Sequence, residues 1–464
     1  MKASFITLLA LAVAFPAFPA AQSGSGKPAV QAVIDSYRPG TTGFGRIRVD
    51  SIDADARRKR VTVFCNDAVS YIPLTQERVA RLKAEVAEAL GIPSAKVDVR
   101  TAGRSLDELA RFASKAPRAP REKGVFVADM QAQPAPKGLD GANIALWQSH
   151  GWYFEPKLNR WEWQRARIFQ TVEDLYTQSY VMPFLMPMLQ NAGAYVMSPR
   201  ERDTNTVEII VDADGGCAVA GYSDDAAVWS DAGVAGFAYA KPSLRNGDNP
   251  FRAGTARRAA TVSRPARATS ATWSADIPEA GDYAVYVSYA ALPKATADAR
   301  YTVNTAAGPR EFRVNQGMGA GTWVYLGHFP LNAGRQAVVE LSTLSSKAGR
   351  AVSADAVKIG GGMGNVERIV KEPLDSIDYR YVASGYPRFT EGARYFLQWA
   401  GAPDSVYTPS GNVNDYSDDY RSRGLWVNWL AGGSSMLPGR EGLNIPVDLS
   451  FAFHSDAGTT MNDS

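Results

Sequence analysis

The segment Ala142-Asn-Ile-Ala-Leu-Trp-Gln-Ser-His-Gly151 is an apolar run that ends in a small polar turn carrying a histidine. The run predicts a buried β-strand that delivers His150 to its C-terminal end. A second segment, Pro446-Val-Asp-Leu-Ser-Phe-Ala-Phe-His-Ser-Asp-Ala-Gly458, has the same construction and carries His454. In open α/β sheets, ligands bind in the crevice at the carboxyl ends of the strands. Because two of the chain's three histidines end such runs, their pairing is the main functional signal.

A helix is predicted after the first strand, over Arg160-Trp-Glu-Trp-Gln-Arg-Ala-Arg-Ile-Phe-Gln-Thr-Val-Glu-Asp-Leu175, because its apolar positions recur near the helical period. Glu162 lies in the first turn, where the helix dipole favours an acidic side chain. We therefore expect its carboxylate to approach His150. Two neutral imidazoles and one carboxylate, with a position open to water, are the ligand set of a catalytic zinc. The resulting hypothesis is a zinc site made of His150, Glu162 and His454.

These residues resemble a known family, the zinc-dependent N-acetylmuramoyl-L-alanine amidases of bacterial cell-wall turnover. The matching pieces are Trp147-Gln-Ser-His-Gly151, Glu162, Gly193-Ala-Tyr-Val-Met-Ser-Pro-Arg-Glu-Arg-Asp203 and Phe451-Ala-Phe-His-Ser-Asp456. The resemblance covers residues 138–225 and 366–464 and implies an α/β fold with a mostly parallel sheet. It also implies zinc bound by the three residues named above, and hydrolysis of the amide between the glycan lactyl group and the stem peptide.

The resemblance leaves the catalytic residue unassigned. Family members carry a general-base glutamate in a strand after the second histidine, so this residue is expected beyond Ser464. Asp456 either orients His454 as a second carboxylate or is a plain loop residue. In this chain Trp152 and Tyr153 replace the more glycine-rich turn that usually follows the first strand.

Each of these features also has a purely structural interpretation. A single histidine at a strand end is usually a hydrogen-bonded structural residue, and we interpret His328 in this way. Glu162 alone is also explained as a partner of the helix dipole. The aromatic side chains near His150 are candidates for a sugar or peptide platform, but at this density they are more typical of a core. They are Trp147, Trp152, Tyr153, Trp161 and Trp163.

The start of the chain, Met1-Lys2 followed by an apolar run from Phe5 to Phe15, predicts a secretory signal peptide over residues 1–21. The protein is therefore expected to be exported, to the periplasm or the extracellular space. A net charge of +3 with 21% charged residues gives no indication of nucleic-acid binding. The two cysteines, Cys65 and Cys217, cannot form a disulfide framework, and whether they pair is left open.

The remaining pattern divides the chain into domains. Residues 28–113 predict a small α/β domain, in which Asp50, Asp53 and Asp55 are interpreted as a solvated turn and not as a calcium loop. Residues 114–137 form a Pro-rich linker. The amidase-like region occupies residues 138–235 and 363–464, and residues 236–362 interrupt it.

The interrupting block contains seven short alternating runs separated by Gly, Pro and Asn turns, which predicts an antiparallel β-sandwich able to fold alone. It resembles the carbohydrate-binding-like domain of golvesin-type and xanthan-lyase-type bacterial proteins. The resemblance lies in Gly281-Asp-Tyr-Ala-Val-Tyr286, Val314-Asn-Gln-Gly-Met-Gly-Ala-Gly-Thr-Trp-Val-Tyr-Leu-Gly327 and Ser353-Ala-Asp-Ala-Val-Lys-Ile359.

The sequence therefore predicts an exported cell-wall amidase with a carbohydrate-binding-like module and peptidoglycan or another polysaccharide as partner. The alternatives are a non-catalytic peptidoglycan or polysaccharide binder and an adhesin-like interaction protein. A polysaccharide lyase is suggested only through an accessory domain.

Overall fold

The computed structural model describes residues 26–38, 46–55, 57–72, 74–113, 124–131, 137–165, 167–168, 171–215, 220–239, 241–368 and 382–455. The chain divides into two compact units, residues 1–120 and residues 121–464. The predicted signal peptide, Cys217 and Asp456 lie outside the described residues.

Among its described residues, the first unit contains three α-helices and a four-stranded mixed sheet in the order β1–β2–β3–β4, in which β2 and β3 are parallel. Its elements are α1 (Lys27–Ser36), β1 (Val49–Asp55), β2 (Arg60–Cys65), α2 (Gln76–Leu90), β3 (Val97–Thr101), β4 (Arg104–Ser105) and α3 (Leu106–Ala113). Helix α2 begins where the Thr75 hydroxyl accepts a hydrogen bond from the Arg78 N–H at 3.1 Å. It ends at Gly91, whose φ of +66° suits a residue without a side chain.

Among its described residues, the second unit contains twenty β-strands and five α-helices. Its first strands are β5 (Val127–Asp129), β6 (Asn143–Gln148), β7 (Trp152–Glu155), β8 (Arg160–Trp163), β9 (Arg167–Ile168) and β10 (Thr171–Val172). Helices α4 (Glu173–Tyr180) and α5 (Met186–Asn191) follow, joined by a π-helical turn, Val181–Leu185. The next strands are β11 (Tyr195–Met197), β12 (Glu208–Val211), β13 (Ala220–Ser223), β14 (Ser230–Gly236), β15 (Gly254–Ala260), β16 (Ser270–Ile277), β17 (Gly281–Val287), β18 (Ala299–Thr305), β19 (Gly308–Val314), β20 (Val324–Leu331), β21 (Gly334–Ser342), β22 (Ala351–Ala354) and β23 (Val357–Gly360). Helices α6 (Ala393–Trp399), α7 (Asp404–Tyr407) and α8 (Asp415–Ala431) precede the last described strand, β24 (Leu449–Phe453).

The predicted β-sandwich is confirmed. A four-stranded sheet, β12–β23–β17–β20, and a six-stranded sheet, β13–β16–β21–β18–β19–β5, consist entirely of antiparallel pairs. Both sheets contribute buried side chains, including Trp273, Val285 and Tyr301, to one hydrophobic core. The alternating pattern of these strands places every second side chain in that core.

The sandwich extends beyond the range predicted for it. Strands β12 and β13 lie before residue 236, and β5 lies inside the segment predicted as a Pro-rich linker. Strand β5 pairs with β19 through Val127 opposite Val314. The predicted boundaries followed changes in composition, whereas the sheets recruit short strands from distant parts of the chain.

The amidase-like region contains a small parallel sheet, in the order β11–β6–β24. Helices α4 and α5 cover one of its faces, where Val181 and Met186 pack with Ile144 and Leu146. The resemblance implied a fold built on a mostly parallel sheet, but this sheet has only three strands among the described residues. The described structure therefore does not show an amidase fold.

The sandwich and the parallel sheet belong to the same compact unit, and buried charges join them. The Lys358 ammonium on β23 lies 2.7 Å from the Glu201 carboxylate, and both side chains are fully buried. The Asp203 carboxylate accepts a hydrogen bond from the Ala284 N–H on β17 at 2.7 Å. Residues 200–203, which follow β11, are therefore packed against the sandwich. None of the described helices is both long and apolar enough to cross a membrane.

Candidate functional site at the histidine edge of the parallel sheet

His150 and His454 lie together at one edge of the parallel sheet. Strands β6 and β24 are neighbours with Gln148 opposite Phe453, and the Ser149 N–H donates to the Phe453 carbonyl at 2.8 Å. Each histidine follows the carboxyl end of its strand, so the parallel pairing brings the two rings to a centroid distance of 5.2 Å. His150 is buried and His454 is exposed.

Both imidazoles are neutral at neutral pH. Burial lowers the pKa of His150, although the Asp419 carboxylate partly opposes this change. Burial and the positive charge of Arg423 lower the pKa of His454 to about 4. A neutral imidazole has a free lone pair, which is the state required of a metal ligand or a general base.

The predicted position of Glu162 is wrong. Residues 160–163 form strand β8, which pairs with β7 in a hairpin, and the helix begins only at Glu173. The sequence Arg160-Trp-Glu-Trp alternates polar and aromatic residues, so it has the period of a strand, and the preceding segment supplies its partner. The Glu162 carboxylate accepts hydrogen bonds from the Tyr153 hydroxyl at 3.2 Å and from Arg160 at 2.8 Å. These partners belong to the hairpin.

Glu173, which the sequence pattern did not single out, is an acidic residue at the histidine edge. It is the first residue of α4, and it is buried. Its carboxylate accepts a hydrogen bond from the Ser149 hydroxyl at 3.0 Å and lies 3.4 Å from Arg165 Nε. The negative charge of Glu173 raises the pKa of His454, but this effect is smaller than the lowering by burial and by Arg423. The sequence did contain a signal for this helix start, because the acidic pair Glu173-Asp174 is typical of the first turn of a helix.

Two arginines and an aspartate surround the His150 ring. Arg165 Nη2 lies 2.8 Å from Nε2, Arg423 Nη2 lies 3.2 Å from Nδ1, and Asp419 Oδ2 lies 3.8 Å from Nδ1. A neutral imidazole accepts a hydrogen bond at only one nitrogen. The short Arg165 contact favours Nε2 as the acceptor, and the ring proton then lies on Nδ1 beside Asp419. Burial opposes the charged form of Asp419, but Arg423, His150 and Arg200 outweigh it and hold the pKa of that carboxyl below its usual range.

Arg200 fixes the backbone of the His150 turn. Its buried guanidinium donates to the carbonyl groups of His150 and Gln148, and also to those of Phe389 and Glu391. These two pairs of carbonyl groups belong to segments more than two hundred residues apart. Arg200 belongs to the segment Gly193–Asp203 that carries part of the amidase resemblance, and its side chain is buried.

The predicted zinc site is not formed by the predicted residues. Within the described ranges, no three His, Cys, Asp or Glu side chains are arranged to hold a metal ion. Glu162 does not fit because its carboxylate is bound within the hairpin, and the Nε2 atom of His150 faces Arg165. The donor types at the edge, two neutral imidazoles and the Glu173 carboxylate, are nevertheless those of a zinc site.

His328 has the structural role assigned to it. Its Nδ1 atom lies 2.7 Å from the Tyr325 hydroxyl, and its Nε2 atom lies 3.8 Å from Asp203. Cys65 is buried and unpaired among the described residues.

Comparison with known proteins gives a family match within the sandwich. Residues 248–361 match the family model of the Golvesin C-terminal domain. No curated protein matches the chain. The comparisons give no support to the amidase resemblance of residues 138–225 and 366–464.

Several solved structures have low similarity to about a third of the chain. A Paenibacillus xanthan lyase is 21% identical over 33% of this chain and 13% of its own, with a TM-score of 0.26. The C-terminal CBM6 of the laminarinase LamC from Zobellia galactanivorans is 12% identical over 33% of this chain and 99% of its own, with a TM-score of 0.20. An Arthrobacter globiformis isomalto-dextranase is 19% identical over 34% of this chain and 33% of its own, with a TM-score of 0.18.

Proposed function

We propose that this protein is an exported polysaccharide-binding protein whose β-sandwich acts as a carbohydrate-binding module. The observation that carries the proposal is the match of residues 248–361 to the Golvesin C-terminal domain. The matched residues include β16 to β21 and β23, which are seven of the ten strands in the two sandwich sheets. Export is proposed from the signal peptide predicted over residues 1–21.

Binding to insoluble polysaccharides tests this proposal. The purified chain is incubated with peptidoglycan sacculi, cellulose and insoluble β-1,3-glucan, and the fraction that sediments is measured. We expect retention on at least one polymer and its release by soluble fragments of the same polymer. Serum albumin is the control for nonspecific retention. Sedimentation no greater than that of albumin on every polymer would refute the proposal.

A second function, zinc-dependent amide hydrolysis, is favoured by the two neutral imidazoles beside a buried carboxylate. We propose that zinc, if bound, is held by His150, Glu173 and His454, with Glu173 in the place predicted for Glu162. Zinc would supply Lewis-acid activation of a carbonyl group and of water. Arg165 must leave His150 Nε2 for that nitrogen to become a ligand. The Asp419 carboxylate, itself 3.6 Å from Arg423 Nη2, would then accept the Nδ1 proton and orient the ring.

Metal analysis separates the two possible carboxylate ligands. We expect zinc in the wild-type chain and in Glu162→Gln, and little or no zinc in His150→Ala and Glu173→Gln, because Glu173 lies at the histidine edge and Glu162 is bound within the hairpin. Glu162→Gln is the matched control, since it makes the same chemical change in the hairpin. Equal zinc content in wild type and Glu173→Gln would contradict the assignment. Release of stem peptide from muropeptides then tests hydrolysis itself.

A further inference from the structure

The hairpin formed by β7 and β8 has one entirely aromatic face. Its register pairs Trp152 with Trp163 and Phe154 with Trp161. Directly opposed residues in an antiparallel pair share a face, and alternate residues along each strand return to it. These four aromatic side chains therefore lie on one side of the hairpin. The Tyr153–Glu162 pair lies on the other side.

The two ends of this face have different surroundings. At the inner end, the Tyr395 ring lies 4.9 Å from Trp161, and its hydroxyl accepts a hydrogen bond from the Phe154 N–H at 2.9 Å. Tyr395 is 1% exposed, so this end is part of the core. At the outer end, the Tyr386 ring lies 4.5 Å from Trp152 at an interplanar angle of 31°. Tyr386 is 42% exposed, so the outer end is accessible from solvent.

The outer end also carries polar atoms that are withdrawn from solvent and have no hydrogen-bond partner among the described residues. One is Nε1 of Trp152, and two more, Oε1 and Nε2 of Gln164, belong to the residue that follows Trp163 in the chain. Leaving such groups unpaired is unfavourable, and most buried polar atoms in folded proteins are satisfied. A ligand that presents hydroxyl groups would satisfy them once the Trp152 and Gln164 side chains shift to expose these atoms.

A sugar ring combines the two properties required here. One face of a β-linked pyranose presents C–H groups, which pack on an aromatic ring, and its rim presents hydroxyl groups, which donate and accept hydrogen bonds. Binding sites with aromatic walls and a few placed polar groups select such ligands. The nearest charges on the hairpin, Arg160 and Glu162, form an ion pair at 2.8 Å, so they do not select for a charged ligand.

The aromatic end of the hairpin is adjacent to the histidine edge. Trp152 is separated from His150 only by Gly151, and Trp163 is separated from Arg165 only by Gln164. Arg165 in turn contacts the His150 ring at 2.8 Å. A glycan chain lying on the outer end would therefore pass close to His150.

We propose that Trp152, Trp163 and Tyr386 form a sugar-binding shelf that holds a neutral pyranose unit of a polysaccharide beside His150. The shelf lies outside the residues that match the Golvesin domain, so it is a second carbohydrate site in the same chain. This proposal rests on the proposed polysaccharide-binding function and adds a location and a ligand class to it.

Titration of the full chain with short sugars tests the shelf. The probes are the β-1,4-linked tetramers of glucose and of N-acetylglucosamine, followed by tryptophan fluorescence and calorimetry. We expect Tyr386→Ala and Trp163→Ala to weaken binding of at least one tetramer roughly tenfold, because each removes one stacking surface. Trp163→Phe keeps an aromatic ring and is expected to retain most of the affinity.

Tyr180→Ala is the matched control. Tyr180 is 46% exposed and packs on the Tyr176 ring at 5.1 Å, so it resembles Tyr386 in exposure and in aromatic contact. We expect this variant to bind as wild type does. Thermal unfolding of every variant identifies any that fail to fold.

The outcomes separate the two proposals. Tetramer binding that is unchanged in both Tyr386→Ala and Trp163→Ala overturns the shelf and leaves polysaccharide binding by the sandwich intact. Weakened tetramer binding with retained sedimentation on insoluble polymer supports both sites. A wild-type chain that binds neither tetramers nor polymer overturns the proposed function and the shelf together.

Discussion

At the residue scale, the turn that carries His150 is held by close backbone packing and by a buried guanidinium. Arg200 donates to the carbonyl groups on both sides of the turn, and the Gly392 N–H donates to the Trp152 carbonyl at 2.9 Å. Gly151 lies directly against this second segment. A Cβ atom added at Gly151 would lie 2.7 Å from the backbone of Glu391 and Gly392. Glycine is therefore required at position 151 because the backbone of residues 391 and 392 leaves no space for a side chain.

We expect Gly151→Ala to destabilise the second unit by about 2 kcal/mol, because the added methyl group must displace backbone atoms. The displacement would also move His150 and Trp152, so sugar binding is expected to weaken. Gly439→Ala is the control, since a Cβ atom added there would have no neighbour within 4 Å and the φ of Gly439 is not positive. Urea unfolding measures both variants. A Gly151→Ala protein as stable as wild type would show that the turn can shift without cost.

At the scale of elements, one buried aspartate marks the place where the chain passes between two sheets. Residues 351–360 contain β22 and β23, which belong to different sheets. Asp355 lies at the division, and its carboxylate accepts a hydrogen bond from the Phe237 N–H at 3.0 Å. Burial raises the pKa of Asp355 to about 7, although the hydrogen bonds from Phe237 and Ser288 partly oppose this change.

This raised pKa predicts the pH dependence of stability. The carboxyl group in an unfolded chain has a pKa of about 4. Between about pH 4 and pH 7 the folded protein keeps a proton that the unfolded chain has lost, so the free energy of unfolding falls as pH rises through this window. Asp355→Asn removes the ionisation and keeps the acceptor oxygen. We expect this variant to be more stable than wild type at pH 8 and similar to it near pH 4.5.

Asp298→Asn is the contrasting control in the same sandwich. Burial alone would raise the pKa of Asp298, but hydrogen bonds from Ser345, Ser346 and Thr296 outweigh it and lower the pKa. Its charged form therefore stabilises the fold above the unfolded pKa, and that stability is lost as pH falls through the folded pKa. Urea unfolding at both pH values should show Asp298→Asn less stable than wild type at pH 8. An Asp355→Asn variant that loses as much stability at pH 8 would contradict the assignment.

At the scale of the whole second unit, the sandwich does not end at its predicted boundaries. Three of the strands in its two sheets, β5, β12 and β13, come from before residue 236. The Tyr222 ring on β13 lies 5.4 Å from Trp273 in the core. On the other sheet, Lys358 is neutralised by Glu201, which belongs to the segment after β11. A buried ammonium without its carboxylate partner is strongly unfavourable.

We therefore expect a fragment of residues 236–362 to lack a cooperative unfolding transition. It would lose three strands, expose unpaired strand edges and leave Lys358 without its partner. A fragment of residues 121–464 keeps all these contacts and is expected to unfold cooperatively. Thermal unfolding followed by circular dichroism compares the two fragments. A sharp transition in the short fragment would show that the sandwich needs none of the borrowed strands.

The sequence by itself determined the features that depend on local patterns. The alternating runs predicted the antiparallel sandwich because a strand places every second side chain in the core, and β16 to β21 lie where those runs stand. The apolar runs before His150 and His454 predicted two strands with histidines at their carboxyl ends. Parallel pairing of those strands then necessarily placed both rings at one edge of the sheet.

Only the tertiary structure decided which charged groups surround His150. Glu162 and Glu173 stand eleven residues apart in a segment that was predicted to be one helix. The pairing of β8 with β7 instead places Glu162 in a hairpin. Asp419 and Arg423 reach the ring from α8, more than 260 residues away in the chain. Such contacts depend on the free energy of long-range packing, which leaves no periodic signal in the sequence. For the same reason, composition alone did not reveal that β5, β12 and β13 complete the sandwich.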